Sequence, residues 1–138
     1  MAAHMPTPAS RRRLRAVLAR EDGWAATAII LPAMIVFVLG AIQVACWFLG
    51  NDVAQSAAVS AYNQSRSYQS IDAAGVQAGN EIIAANGELL GSPTVQVSRT
   101  ADTVTVTVTG RPMSIIPGIN LPPITRTVTG PIERWVPK

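Results

Sequence analysis

From Trp24 to Leu49 the chain runs for 26 residues, WAATAIILPAMIVFVLGAIQVACWFL, without a carboxylate or a basic group. As a helix this run extends about 39 Å at 1.5 Å per residue, more than the roughly 30 Å hydrocarbon core of a bilayer. Backbone polar groups find no water in lipid, so such a run crosses as a helix. Pro32 inside it leaves the Ala28 carbonyl without its usual partner, which predicts a kink. Trp24 and the Trp47-Phe48 pair stand near the two ends, where aromatic rings favour the membrane interfaces. Gln43 reads as a hydrogen-bonding group toward another helix. Cys46 reads as an inert thiol of the membrane helix.

Beyond Gly50 the pattern changes twice. Residues 51–69 contain no Gly or Pro, and Ala54, Ala58, Ala61, Ser65 and Tyr68 recur at helical spacing, a narrow stripe of small residues. Such a stripe permits close approach of a helix, either from another protein or from the next helix of this chain. Gly50-Asn51 is a place where this helix could bend away from the membrane run. The next helix is predicted over 72–86, with Asp72 as its cap, Asn86-Gly87 as its stop, and Val76, Ala78, Gly79, Ile82 and Ile83 on its apolar side. After Pro93 the period falls to two, predicting strands over 94–100, 103–109 and 124–129, with valines on one face and threonines on the other. The valine face needs a cover, which the 72–86 helix is expected to supply. The intervening GRPMSIIPGINLPP carries Ile115, Ile116, Ile119 and Leu121 among four prolines and two glycines. Prolines bar it from helix or strand, so these four side chains either fold onto the sheet edge or form a contact patch for a partner or a lipid surface.

Charge gives the membrane run a direction. Arg11, Arg12, Arg13, Arg15 and Arg20 face only Glu21 and Asp22 in the first 22 residues, so the whole formal net charge of +3 lies there, and six bases balance six acids in the remainder. A basic cluster directly before an apolar run is a topology signal rather than a nucleic-acid site, and it predicts a cytoplasmic N-terminus with the rest outside. The domains are thus a basic cytoplasmic leader (1–23), a transmembrane helix (24–49) and an extracytoplasmic α+β domain (50–138). One Cys excludes a disulfide framework. The one His, His4, falls across the membrane from the domain, so no nucleophile-base pair can be built. The expectation is a protein that is not an enzyme, with no catalytic residue, metal, cofactor or nucleic-acid partner.

The order of these features resembles the TadE-like family, pseudopilin-type components of the bacterial tight-adherence (Flp) pilus and related secretion machinery. The residues that carry the resemblance are RRRLRAVLAREDG, the apolar segment with Leu31-Pro32, VAQSAAVSAY, and VTVTVTGRP, IPGINLPP and TVTGPIER toward the C-terminus. The resemblance implies a pilin-like layout, a prepilin peptidase cutting between Gly23 and Trp24, and other pilus or pseudopilin subunits as partners at the cytoplasmic membrane. Family members carry a Glu at the fifth position after the cut, where this chain has Ala28. A subunit without that carboxylate lacks the group that would pair with a neighbour's terminal amine, so the expectation is a minor assembly component. The alternative is a membrane-tethered extracytoplasmic adaptor or binding domain outside any filament.

Overall fold

The computed structural model describes residues 8–67 and 69–134, with side chains for 23, 24, 26–67 and 69–134. Helix α1 spans Pro8–Arg66, helix α2 spans Asp72–Ala85, a short 3-10 turn covers Gly87–Leu89, and strands β1 (Leu90–Arg99), β2 (Thr103–Pro112) and β3 (Ile124–Pro131) follow. The strands form one antiparallel sheet in the order β1-β2-β3. The layout is α+β, with a long apolar N-terminal helix, a second helix and a three-stranded sheet. The chain forms two compact units, residues 1–40 and 41–138.

In the first unit the side chains described from Trp24 to Leu39 are all exposed, including Trp24, Phe37 and Val36. The stretch Ala26–Arg66 of α1 contains an 18-residue window of mean hydropathy 2.5 that is only 11% buried. It is long and apolar enough to cross a membrane, and among the described residues nothing covers this apolar surface.

The second unit is built on the remainder of α1. Buried positions recur along it at Gln43, Cys46, Gly50, Val53, Ala54, Ala57, Ala58, Ala61 and Ser65, one helical face extending from inside the apolar run to the end of the helix. Val53 and the four alanines join Ile83, Leu90, Val104, Val106, Val108 and Ile124 in the core. Register explains the sheet's contribution: Val106 pairs with Val97 on one side and Val128 on the other, so the valines share one face. Thr105, Thr107 and Thr109 share the opposite face with Thr129, Thr127 and Thr125. The cover expected from α2 alone is therefore supplied jointly, with α1 contributing five of the core residues against Ile83 alone from α2, which packs over β1.

The small-residue stripe is an intramolecular packing surface. At Gly75 an added Cβ would collide with Ser65 Oγ and lie 3.0 Å from the Ala61 carbonyl oxygen; at Gly79 it would lie 3.0 Å from Val95 Cγ1 and 3.3 Å from Ala61 Cβ. The helices cross where neither has room for another carbon. Tyr68 lies outside the described residues.

Several boundaries depart from the sequence expectation. The helix expected over 51–69 is the last part of α1, which ends at Arg66, and there is no break at Gly50-Asn51. Gly50 is instead a contact, since a Cβ there would sit 2.9 Å from the Leu89 carbonyl oxygen and 3.3 Å from Pro112 Cβ. α2 starts at Asp72, with Ile71 in the cap position and no side-chain cap, so Asp72 acts on the helix dipole from the first turn instead. It ends at Ala85 rather than 86, with Asn86 as cap and Gly87 at φ +64. β1 begins at Leu90, four residues before the expected 94, because it is an edge strand that tolerates Pro93 at an irregularity between Gly91 and Thr94. It ends at Arg99 rather than 100. β2 and β3 run on to Pro112 and Pro131 instead of 109 and 129, and prolines at strand ends cost no essential ladder bond.

The crossing gives a prediction opposite to helix propensity. Gly75→Ala should lower the melting temperature, because overpacking costs about 1–3 kcal/mol and exceeds the roughly 1 kcal/mol that Ala gains over Gly in a helix. Ser65→Ala should raise it, since the fully buried Ser65 hydroxyl has no hydrogen-bond partner among the described residues. Thermal unfolding of both variants in one detergent checks the pair of signs.

Candidate functional site

The polar side chain inside the apolar run has its partners in this chain. Gln43 is 6% exposed. Its Nε2 donates to the Met113 carbonyl oxygen at 3.2 Å, and its Oε1 accepts the Ile115 N–H at 2.9 Å. The primary amide thus engages the donor and acceptor of an extended backbone as a neighbouring strand would. The Ser114 hydroxyl lies 3.4 Å from Gln43 Oε1 and 3.1 Å from the Ile116 carbonyl oxygen. Met113 N–H donates to the Leu89 carbonyl, and Ile119 N–H to that of Ile116, closing a turn in which Gly118 takes φ +83. Segment 113–123 is neither helix nor strand, as its prolines require.

The four isoleucine and leucine side chains expected to act together divide. Ile116 and Leu121 are half-buried, whereas Ile115 and Ile119 are 46% and 45% exposed, joined by Met113 at 42%. The backbone of Met113 and Ile115 is held to α1 by Gln43. The reading of Gln43 as a link to a separate helix is thereby corrected: its bonds go to backbone 70 and 72 residues away. The only signals for this in the sequence were a lone amide in an apolar run and a segment in which prolines remove donors.

Gly23 and Trp24 lie within α1, with Trp24 83% exposed and the Thr27 hydroxyl donating to the Gly23 carbonyl at 2.8 Å. Arg11, Arg12, Arg13, Arg15 and Arg20 also fall within α1, but their side chains, like all of His4, lie outside the described residues. Cys46 is a buried free thiol.

Charged groups elsewhere hold the segment after β3 to α1 and to the β1–β2 turn, and hold strands to neighbouring segments. Arg66 donates through Nη2 and Nε to Glu133 Oε1 at 2.7 and 3.1 Å, while Glu133 N–H returns a bond to the Arg66 carbonyl. The hydrogen bond and charge of Glu133 raise the Arg66 pKa. Asp102 pairs with Arg134, and its carbonyl accepts the Ile132 N–H. Arg99 reaches the Ser70 carbonyl, and Arg126 Nε donates to Asn51 Oδ1 at 2.8 Å. Arg126 with Asn51 joins β3 to α1, and the other pairs hold connecting segments to a helix, a strand or each other. Among the described residues no three of His, Cys, Asp and Glu gather as metal ligands would. The shallow depressions along α2 and between α1 and α2 are lined by residues such as Gln77, Asn80, Glu81, Gln55 and Asn63, without an acid-base pair. The threonine face of the sheet is open, with hydroxyls of Thr105 and Thr129 at 3.1 Å.

No family model matches the chain, and neither the curated proteins nor the solved structures provide a match.

Removing the Gln43 amide isolates one carbonyl and one amide of the loop. Gln43→Leu should therefore destabilise the domain by about 1–3 kcal/mol, the cost of leaving buried polar groups unpaired. Faster hydrogen exchange at the Ile115 amide should accompany the loss, and unchanged exchange there would contradict the clamp.

Proposed function

We propose that this chain is an assembly protein of the cytoplasmic membrane, a minor pseudopilin-like component of a bacterial tight-adherence pilus or a related secretion system. The observation that supports it best is the dual use of α1, whose apolar stretch is long enough for a membrane and whose later turns form the core under a small sheet. That layout accords with the order of sequence features shared with the TadE-like family. In this reading the arginines before Trp24 hold the N-terminus in the cytoplasm and the domain lies outside. A prepilin peptidase removes the leader between Gly23 and Trp24. The work is assembly rather than catalysis, with other pilus subunits as partners.

Ala28 assigns the subunit a minor place. A carboxylate buried in lipid is stable only when paired, and in a pilin-like array the pairing registers one subunit against the next. With Ala28 the helix resides in lipid without that cost and without that register.

Shear fractionation with quantitative mass spectrometry tests the assignment. Most copies should remain in the membrane fraction, co-purifying with pilus subunits. Its recovery as the most abundant filament protein would exclude a minor role, and failure to co-purify with any pilus subunit would favour a tethered adaptor outside the filament.

A further inference from the structure

We propose that the loop 113–121 is a second membrane contact, seated at the boundary of headgroups and acyl chains beside the helix that crosses the same membrane. This rests on the reading of residues 24–49 as a membrane span.

The depth of the loop follows from its bonds to Gln43. That residue lies six positions before Leu49, about 9 Å along a helix from the end of the apolar run. Side chains on a helix lean toward its N-terminus, so the backbone Gln43 holds lies at or below its own level. The twenty residues from Trp24 to Gln43 already supply the roughly 30 Å that the hydrocarbon core requires. The loop is therefore carried to the edge of that core rather than into water.

Its chemistry suits this position. Residues 112–125, PMSIIPGINLPPIT, carry no charge. Irregular backbone is costly in lipid because its polar groups lose water, and here Pro112, Pro117, Pro122 and Pro123 have no N–H to satisfy. The Met113 N–H and carbonyl, the Ile115 N–H, the Ile116 carbonyl and the Ile119 N–H all have partners in the protein. Outward stand the apolar Met113, Ile115 and Ile119 with the small polar Ser114 and Asn120, a mixture that suits the headgroup boundary, and on α1 around Gln43 the side chains of Ile42, Val44, Phe48 and Leu49 are likewise bare. Attachment at Gln43 to a helix that already faces lipid selects lipid over a protein groove as the occupant.

Fluorescence quenching in phosphatidylcholine vesicles tests this with the full chain. In a Cys46→Ala background, single cysteines from Ile119→Cys, Val36→Cys and Gln96→Cys carry an environment-sensitive fluorophore, and lipids bear nitroxides either near the headgroup or near the chain end. The label at 119 should shift to the blue and lose emission, more with the shallow nitroxide than the deep one. The label at 36 should respond most to the deep nitroxide, and that at 96, on the open face of the sheet, to neither. Quenching at 36 without quenching at 119 overturns the loop contact while leaving the span intact. A blue shift at 119 that no lipid nitroxide quenches means that protein covers the loop, which also overturns it. Absence of quenching at 36 rejects the span and the loop contact together.

Discussion

The close seating of α1 on the valine face of the sheet is the contact on which the rest of the domain depends. Ala54, Ala57, Ala58 and Ala61 are fully buried, and the side chains opposite include Val104, Val106 and Val108, also fully buried. Alanine lets the helix axis approach the sheet, and the glycines of α2 let a second helix approach the same face from the side. A core this thin fills its volume with methyl groups and backbone rather than with long side chains. It cannot absorb added atoms by rearranging them.

Because the packed face is a face of one helix, it does not end where the apolar run ends. Buried positions continue back through Gly50 and Cys46 to Gln43, so the last turns of the run serve the domain on one side and remain bare on the other. This overlap explains two features that are otherwise unrelated. Gly50 admits the Leu89 carbonyl and Pro112 to the helix backbone, and Gln43 brings down an uncharged loop that exposes Met113, Ile115 and Ile119. Links between the segment after β3 and α1, such as Arg66 with Glu133, close the opposite end of the domain.

Much of the fold was legible in the residues because its signals are local. Twenty-six uncharged residues define a helix long and apolar enough to cross a membrane, alternating Val and Thr define strands, and Asn86-Gly87 defines a helix stop. What was not legible depended on tertiary partners. Gly50 looked like a bend because glycine disfavours helix, yet its missing side chain is required by a carbonyl that arrives from residue 89. Pro93 seemed to precede a strand that actually runs through it, since only the sheet order reveals an edge with a free N–H side. Gln43 announced that it needed a partner without announcing which. Of the four apolar loop residues, the division into half-buried Ile116 and Leu121 and exposed Ile115 and Ile119 is invisible in composition.

The central claim is that α1 is a single helix whose buried face passes without interruption from the apolar run into the domain core. Amide hydrogen exchange of the full chain in lipid nanodiscs, resolved by residue from Ala41 to Arg66, tests it directly. Continuous protection through Gly50 and Asn51, at a level equal to that of Ala54 to Ala61, is the predicted result. A fast-exchanging gap at Gly50-Asn51, with protected segments on either side, would contradict it and show two helices joined by a hinge.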